Sequence, residues 1–324
     1  MAYQAGDTIL DDEYNTFANN SSSPFGYNHF AGTGSTVYGL GESALSTVSA
    51  GNTVLASQWN SLFTGMSTVA GHTGDTLTSR SAISSGDTIA IAAAVAADLA
   101  TLAASVAAGS PNTSAKTTVS QQNTDSSSTW TGTFTTEFTI TFANANTMRH
   151  FFNAGGKVRV VPTRTGGGAD GGGTTGKDTA WTNLYAAVGN LDIGSVSSSR
   201  SGSGETSNTD VLSSTGASDL GTSYTTLLQL ADDTYPYASN TIKIEAKMDG
   251  SAYGTATAMK VKLTSTDGSA DFTFEGSNLS SVNLQAYRNG QHRHNLTTIN
   301  TTTGGGLANA FAPSGTATDG GTTT

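Results

Sequence analysis

From Thr129 to Arg164 apolar and polar positions alternate with a period of two, broken by one turn-rich segment. Phe134, Phe138, Ile140 and Phe142 share one parity, and Thr135, Thr139 and Thr141 share the other. That is the pattern of a strand with one face in a core and one toward water. Met148 to Gly156 follows and ends in paired glycines suited to a tight turn, after which Lys157 to Arg164 alternates again. The three runs predict consecutive antiparallel strands. Pro162 in the last of them predicts an edge position or a strand end, because proline has no N–H to give an interior ladder.

Further strands are predicted at Leu191 to Val196, Tyr224 to Leu230, Thr241 to Met248, Ala258 to Ser265, Asp271 to Phe274 and Val282 to Tyr287. The third and fourth alternate cleanly and are joined by the Gly250 to Gly254 region, which predicts a hairpin. One short helix is predicted from a cap at Asp178 or Thr179, with Trp181, Leu184, Tyr185 and Val188 on one face and Gly189 as terminator; it should lie across the sheet. Many short strands separated by Gly, Ser and Asn point to a β-sandwich of jelly-roll type.

The first hundred residues follow a different rhythm. Gly6-Asp7-Thr8-Ile9-Leu10, then Tyr14-Asn15-Thr16-Phe17, aligns with Gly51-Asn52-Thr53-Val54-Leu55, then Trp59-Asn60-Ser61-Leu62, and a weaker third copy opens at Ser85-Gly86-Asp87-Thr88-Ile89. Each copy reads as a glycine turn, a capping residue, a short apolar run and a helix. Asp11, Asp12 and Glu13 fit the first turn of the first helix, where the helix dipole favours negative charge. Leu10, Tyr14 and Phe17, and Leu55, Trp59, Leu62 and Phe63, should face one core. In the third helix Val95, Leu99, Leu102 and Val106 are spaced by four, three and four; the core face of an amphipathic helix is preferred over a short intermolecular seam. Ile89 to Ala108 is apolar, but its alanines and the central Asp98 argue for a buried helix rather than a membrane span.

The fold class predicted is therefore mainly β with a small helical N-terminal module. Residues 1–110 form that module, 111–128 a polar linker, 129–290 the jelly-roll-like sandwich, and 291–324 a Gly/Thr-rich tail whose composition gives it little to bury. Charged residues make up only 12% of the 324, and 39 glycines with abundant Ser and Thr favour strands and turns over surface helices. A formal charge of −10 repels phosphate backbones and anionic bilayers, so neither nucleic acid nor membrane is an expected partner. There is no cysteine, hence no disulfide frame, thiolate metal site or Cys nucleophile. The opening residues have neither the basic start nor the apolar core of a secretory signal, so synthesis and assembly in a cytoplasm are expected, and the sequons at Asn295 and Asn300 carry no weight.

Candidate chemistry is sparse. The glycine-rich run Thr165 to Gly173 lacks the strand, helix and Lys-Ser/Thr order of a phosphate cradle. Asp267 to Asp271, with Glu275, resembles part of a calcium loop, but Asn278 stands where the bidentate Glu belongs, and a hairpin turn is preferred. His29, His72 and His150 are isolated in sequence, and His150 beside Phe151 and Phe152 reads as a structural histidine. His292 and His294, two apart on an extended segment, share a face; around a three-fold axis three such pairs would offer six imidazoles to a metal, whereas alone they are two exposed histidines. Tyr235, Tyr237 and Tyr253 are candidate glycan contacts or plain packing residues. No catalytic, cofactor or metal residue is assigned.

Arg149-His150-Phe151-Phe152-Asn153-Ala154-Gly155-Gly156, followed by a strand and a Gly-rich loop, resembles virion structural and tail-fibre-type proteins of tailed phages, notably those of marine cyanobacteria. Ala5-Gly6-Asp7-Thr8-Ile9-Leu10 with Tyr14-Asn15 is similar to the same group, so the likeness spans roughly the first half. The resemblance implies a place in a virus particle. Together with the Gly/Ser/Thr composition and the repeat-plus-sandwich layout it sets the expectation: a non-enzymatic tail or fibre-associated component located in the virion, a homo-oligomer with a trimer favoured, with other virion proteins as partners. A capsid decoration protein, an adhesin for host surface glycan and a polysaccharide depolymerase are the alternatives.

Overall fold

The computed structural model describes residues 11–32, 39–85, 87, 92–107, 116–124, 132–166, 176–235, 237–269, 290–301, 311 and 313–321. They fall into two units, one from residues 1–117, 144–156 and 300–312, the other from 118–143, 157–299 and 313–324.

The first unit is helical. Helix α1 spans Asp11–Asn19, α2 Tyr27–Phe30, α3 Ala56–Thr73 and α4 Ala92–Ala107. The acidic triplet fills the first turn of α1 as predicted. Tyr14 and Phe17 of α1, Trp59, Leu62, Phe63, Met66 and Val69 of α3, and Val95, Leu99, Leu102 and Val106 of α4 form one buried cluster. The α4 stripe is thus the core face of this chain's own helix. Leu55 departs from expectation: it precedes α3 and is 58% exposed, its N–H donating to Gln58 Oε1 at 2.7 Å. No described helix is long and apolar enough to cross a membrane.

The repeat has a structural meaning that its apolar pattern does not convey. Asn15 and Asn60 occupy equivalent positions, directly after the buried Tyr14 and Trp59. Each uses its whole amide to hold a later segment: Asn15 donates to Val48 O and accepts from Val48 N, both at 2.8 Å, and Asn60 does the same to Ile83 at 2.9 and 2.8 Å. Paired bonds of this kind satisfy the backbone of an extended segment without a neighbouring strand. The third copy has no asparagine there; Asp98 performs the clamp instead, accepting from the N–H and the hydroxyl of Thr78 and pairing with Arg80.

The segment Met148 to Gly156, predicted as a strand, is helical. Helix α5 spans Ala145–Asn153 and belongs to the first unit. Asn144 caps it, its side chain accepting from Thr147 N at 2.9 Å, and Met148, Phe151 and Phe152 recur at i, i+3 and i+4. Gly155, at φ +80°, ends it. A Cβ on Gly156 would meet Phe151 at 2.6 Å, so the glycines serve a helix stop packed on the phenylalanine, not a hairpin.

The second unit is β-rich and mostly antiparallel. Strands β1 (Lys116–Thr124), β2 (Thr133–Thr141), β3 (Lys157–Gly166), β4 (Leu191–Ile193), β5 (Ser198–Arg200), β6 (Thr206–Asp210), β7 (Thr225–Ala231), β8 (Thr241–Asp249), β9 (Ala258–Thr266), β10 (Gly290–Thr301) and β11 (Ser314–Gly321) form two sheets, with helix α6 at Gly176–Val188. One sheet runs β1-β10-β3-β4-β5, the other β11-β2-β9-β8-β7-β6. Phe134, Phe138, Ile140, Ile242, Ile244, Met259, Val261 and Leu263 are buried on the second sheet, Val158, Val160, Leu191 and Ile193 on the first. Helix α6 packs on β3 of one sheet and on β7 and β8 of the other, with Trp181, Leu184, Tyr185 and Val188 buried and the Tyr185 hydroxyl 2.8 Å from that of Ser265. It begins at Gly176, two residues before the predicted cap.

Three segments differ from expectation because backbone pairing, not apolar content, places them. The 111–128 stretch, read as linker, supplies β1. The 291–324 stretch, read as a tail with little to bury, supplies most of β10 and all of β11, which pairs with β2 from Ser314 opposite Thr141 to Gly321 opposite Phe134. Pro162 stands in an interior strand, yet β4 pairs only with Val158 to Val160, so on that side the proline lies past the end of the ladder. The predicted strands at Asp271 to Phe274 and Val282 to Tyr287 lie outside the described residues.

Candidate functional site

The outward face of the six-stranded sheet gathers most of the chain's lysine. Lys243 and Lys247 on β8 and Lys260 and Lys262 on β9 alternate with inward apolar residues, so strand period alone puts all four on one side. Register then sets their partners. Lys262 stands opposite Glu137 of β2 on one flank and Glu245 of β8 on the other. Its Nζ lies 2.8 Å from Glu245 Oε2, Lys243 Nζ is 3.1 Å from Glu245 Oε1, and Lys260 Nζ is 3.1 Å from Glu137 Oε1. The directly opposed pair Lys262–Glu245 adds a modest stabilisation to the pairing of β8 with β9.

Tyr224, just before β7, lies over this row. Its hydroxyl donates to Glu137 Oε2 at 2.5 Å, and its ring centroid is 3.9 Å from Lys262 Nζ and 4.9 Å from Lys247 Nζ. Burial pushes the Glu137 carboxyl up, but the Tyr224 hydroxyl and the lysines outweigh it and hold the group below the usual carboxylate range. Glu245 is held low in the same way, burial being outweighed by Lys262 and Lys243. The face is a lattice of charge, one aromatic ring and threonine hydroxyls, able to make polar contacts with a partner.

The edges of this sheet are unequal. β6 carries a bulge between Ser207 and Thr209, a device that discourages pairing with another chain. β11 pairs with β2 in unbroken register, and Thr316, Ala317 and Thr318 are all exposed. Among the described residues no strand lies beyond β11, and an edge of small residues with no lysine or proline and a single charge, Asp319, can accept a further strand.

The residues singled out from sequence are dispersed. His292 and His294 fall on β10, between β1 and β3, opposite Arg164 and Pro162. Tyr235 is 90% exposed, whereas Tyr237 and Tyr253 are half-buried. Asp267 N donates to Gly132 O and Ser269 N to Asn240 Oδ1, as turn residues do; Asp271, Glu275 and Asn278 lie outside the described residues. Tyr224 and the carboxylates it meets were not legible as a site, although the lysine alternation on β8 and β9 was in view. A cleft of about 300 Å³ lies beside Pro162, Arg164, Thr182, Tyr185 and Asn190, and among the described residues no carboxylate lines it.

His150 and His72 are structural. His150 Nδ1 lies 3.2 Å from Gly39 O and its ring packs on Phe311 at 5.1 Å, while His72 is 2% exposed; burial pushes both below the ordinary value of 6.5. The unfolded chain then takes up protons near pH 6.5 that the folded chain refuses. Stability from these groups is present above that pH and is lost as pH falls toward the folded values. The urea midpoint should drop between pH 7.5 and 5, and drop less in His72→Gln; an equal drop in the variant would remove His72 from the account.

No family model, curated protein or solved structure matches this chain.

Proposed function

We propose that the chain is a non-enzymatic structural component of a tailed-phage virion, tail- or fibre-associated, that works by associating with copies of itself, a trimer being the favoured state, and with other virion proteins. The open β11 edge carries this reading: a regular strand with exposed small residues offers backbone groups to a second copy, and a weakly charged Gly/Ser/Thr-rich exterior tolerates being covered. The likeness of the first half to phage fibre-type proteins agrees with it. We read the two sheets, bridged by α6, as a sandwich; the jelly-roll order expected from sequence is the finer part of that reading, set against a β6-β7-β8-β9 run that stays within one sheet.

Ala317→Lys places a charge on that edge and tests the reading. The wild-type chain should elute as an oligomer and the variant as a smaller species with unchanged circular dichroism; an oligomer that ignores the substitution would move the contact elsewhere. The 90% exposure of Tyr235 favours one second reading, adhesion to host surface glycan. Incubation with bacterial surface polysaccharide should release no reducing ends; release would establish a depolymerase.

A further inference from the structure

At one end of the six-stranded sheet three carboxylates converge from separate segments. Glu205 directly precedes β6, Asp232 and Asp233 directly follow β7, and the pairing of Thr206 with Ala231 brings the two together. One carboxylate oxygen from each lies within 4.8 Å of the other two. Asp232 is 1% exposed. Its Oδ1 accepts from Thr234 N at 2.7 Å, while its Oδ2 is buried and accepts no hydrogen bond. Glu205 Oε2 accepts from Asp233 N at 2.8 Å, and the Thr234 hydroxyl lies 3.5 Å from Asp233 Oδ1. Among the described residues no lysine, arginine or histidine forms an ion pair with any of the three.

A buried carboxylate oxygen without a partner is costly, and three close carboxylates without a cation repel one another. Glu205 also holds φ +61°, the one non-glycine residue with positive φ among those described, a backbone conformation held at some cost.

We propose that Glu205, Asp232 and Asp233 bind a hard divalent cation of the calcium class. The donor set is all oxygen, with neither the imidazole nor the thiolate that zinc or copper prefers. Calcium accepts irregular oxygen shells completed by main-chain carbonyls and water, whereas magnesium demands a near-octahedral shell. The ion would tie the start of β6 to the β7–β8 loop, and this holds whether or not the chain assembles through β11.

Titration calorimetry of the full chain, stripped with chelator and held at pH 7.5 in about 0.15 M salt, tests the proposal with calcium chloride as the probe. One saturable site per chain is expected, with a dissociation constant on the order of 10⁻⁴–10⁻³ M, as in extracellular calcium modules. Asp232→Asn abolishes it. Asp233→Asn, a change at an exposed residue, weakens it roughly tenfold or more while leaving the calcium-free Tm unchanged, and decides the matter should Asp232→Asn fail to fold. Absence of a saturable site in the folded wild-type chain up to about 10 mM calcium, or a site that Asp233→Asn leaves at full affinity, overturns the proposal.

Discussion

Asp98→Asn is expected to cost about 3–5 kcal/mol of folding stability. Asp98 sits midway along α4 and its side chain is 11% exposed, paired with the Arg80 guanidinium, itself 8% exposed. The carboxylate also accepts from Thr78 N at 3.0 Å and from the Thr78 hydroxyl at 3.3 Å, and the guanidinium lies 5.2 Å from the Phe63 ring centroid. Removing the negative charge strands the arginine among Phe63 and Met66, where water cannot replace the lost partner. Urea denaturation measures the loss. The double variant Arg80→Met with Asp98→Leu should recover part of it, because no buried charge is left, though Thr78 N still lacks its acceptor. A single-variant loss below about 1 kcal/mol would show that the pair is solvated and does not hold the segment after α3 to α4.

Phe138→Ala should cost a similar amount, about 3–5 kcal/mol, by a different mechanism. Phe138 is 1% exposed at the centre of β2, opposite Val261 on β9 and Ala317 on β11. Ala317 has no bulk to swing into the space, so the cavity persists and its lining loses contacts on one side. Phe138→Leu, which keeps most of the volume, should cost less than half as much. Equal losses for the two variants would mean that the aromatic edge rather than the filled volume matters at this position.

These two sites also mark how far the sequence could be read. Phe138 announced itself through alternation, as did β3, β7, β8 and β9, because a strand with one buried face must spend every second residue on it. The α3 and α4 faces were legible for the equivalent reason at helical spacing. Strands β1, β10 and β11 were not: β1 has a single apolar residue, Val119, and β11 sets Gly315 and Ala317 opposite Ile140 and Phe138. Such strands are held by backbone pairing to neighbours that already have a core, and pairing leaves no mark on composition. Met148 to Gly156 failed differently, since a short apolar run before two glycines fits either element; the decisive signal was Asn144, a cap three residues before the amide it accepts from.

Site residues were harder still. Glu205 and Asp232 meet only because β6 pairs with β7, and β6, Thr-Ser-Asn-Thr-Asp, contains nothing apolar to betray it. Tyr224, beside β7, reaches Glu137 on β2 across the two intervening strands β8 and β9. Asn15 and Asn60, by contrast, stood at matching places in a visible repeat, and their shared role was open to inference from Tyr14-Asn15 and Trp59-Asn60 alone.

Sedimentation equilibrium of the purified full chain at micromolar concentration addresses the central claim, that the protein acts by associating with itself. The account predicts a mass that is a whole multiple of the 32.8 kDa chain, three being the favoured number. A single 32.8 kDa species across that concentration range would contradict it.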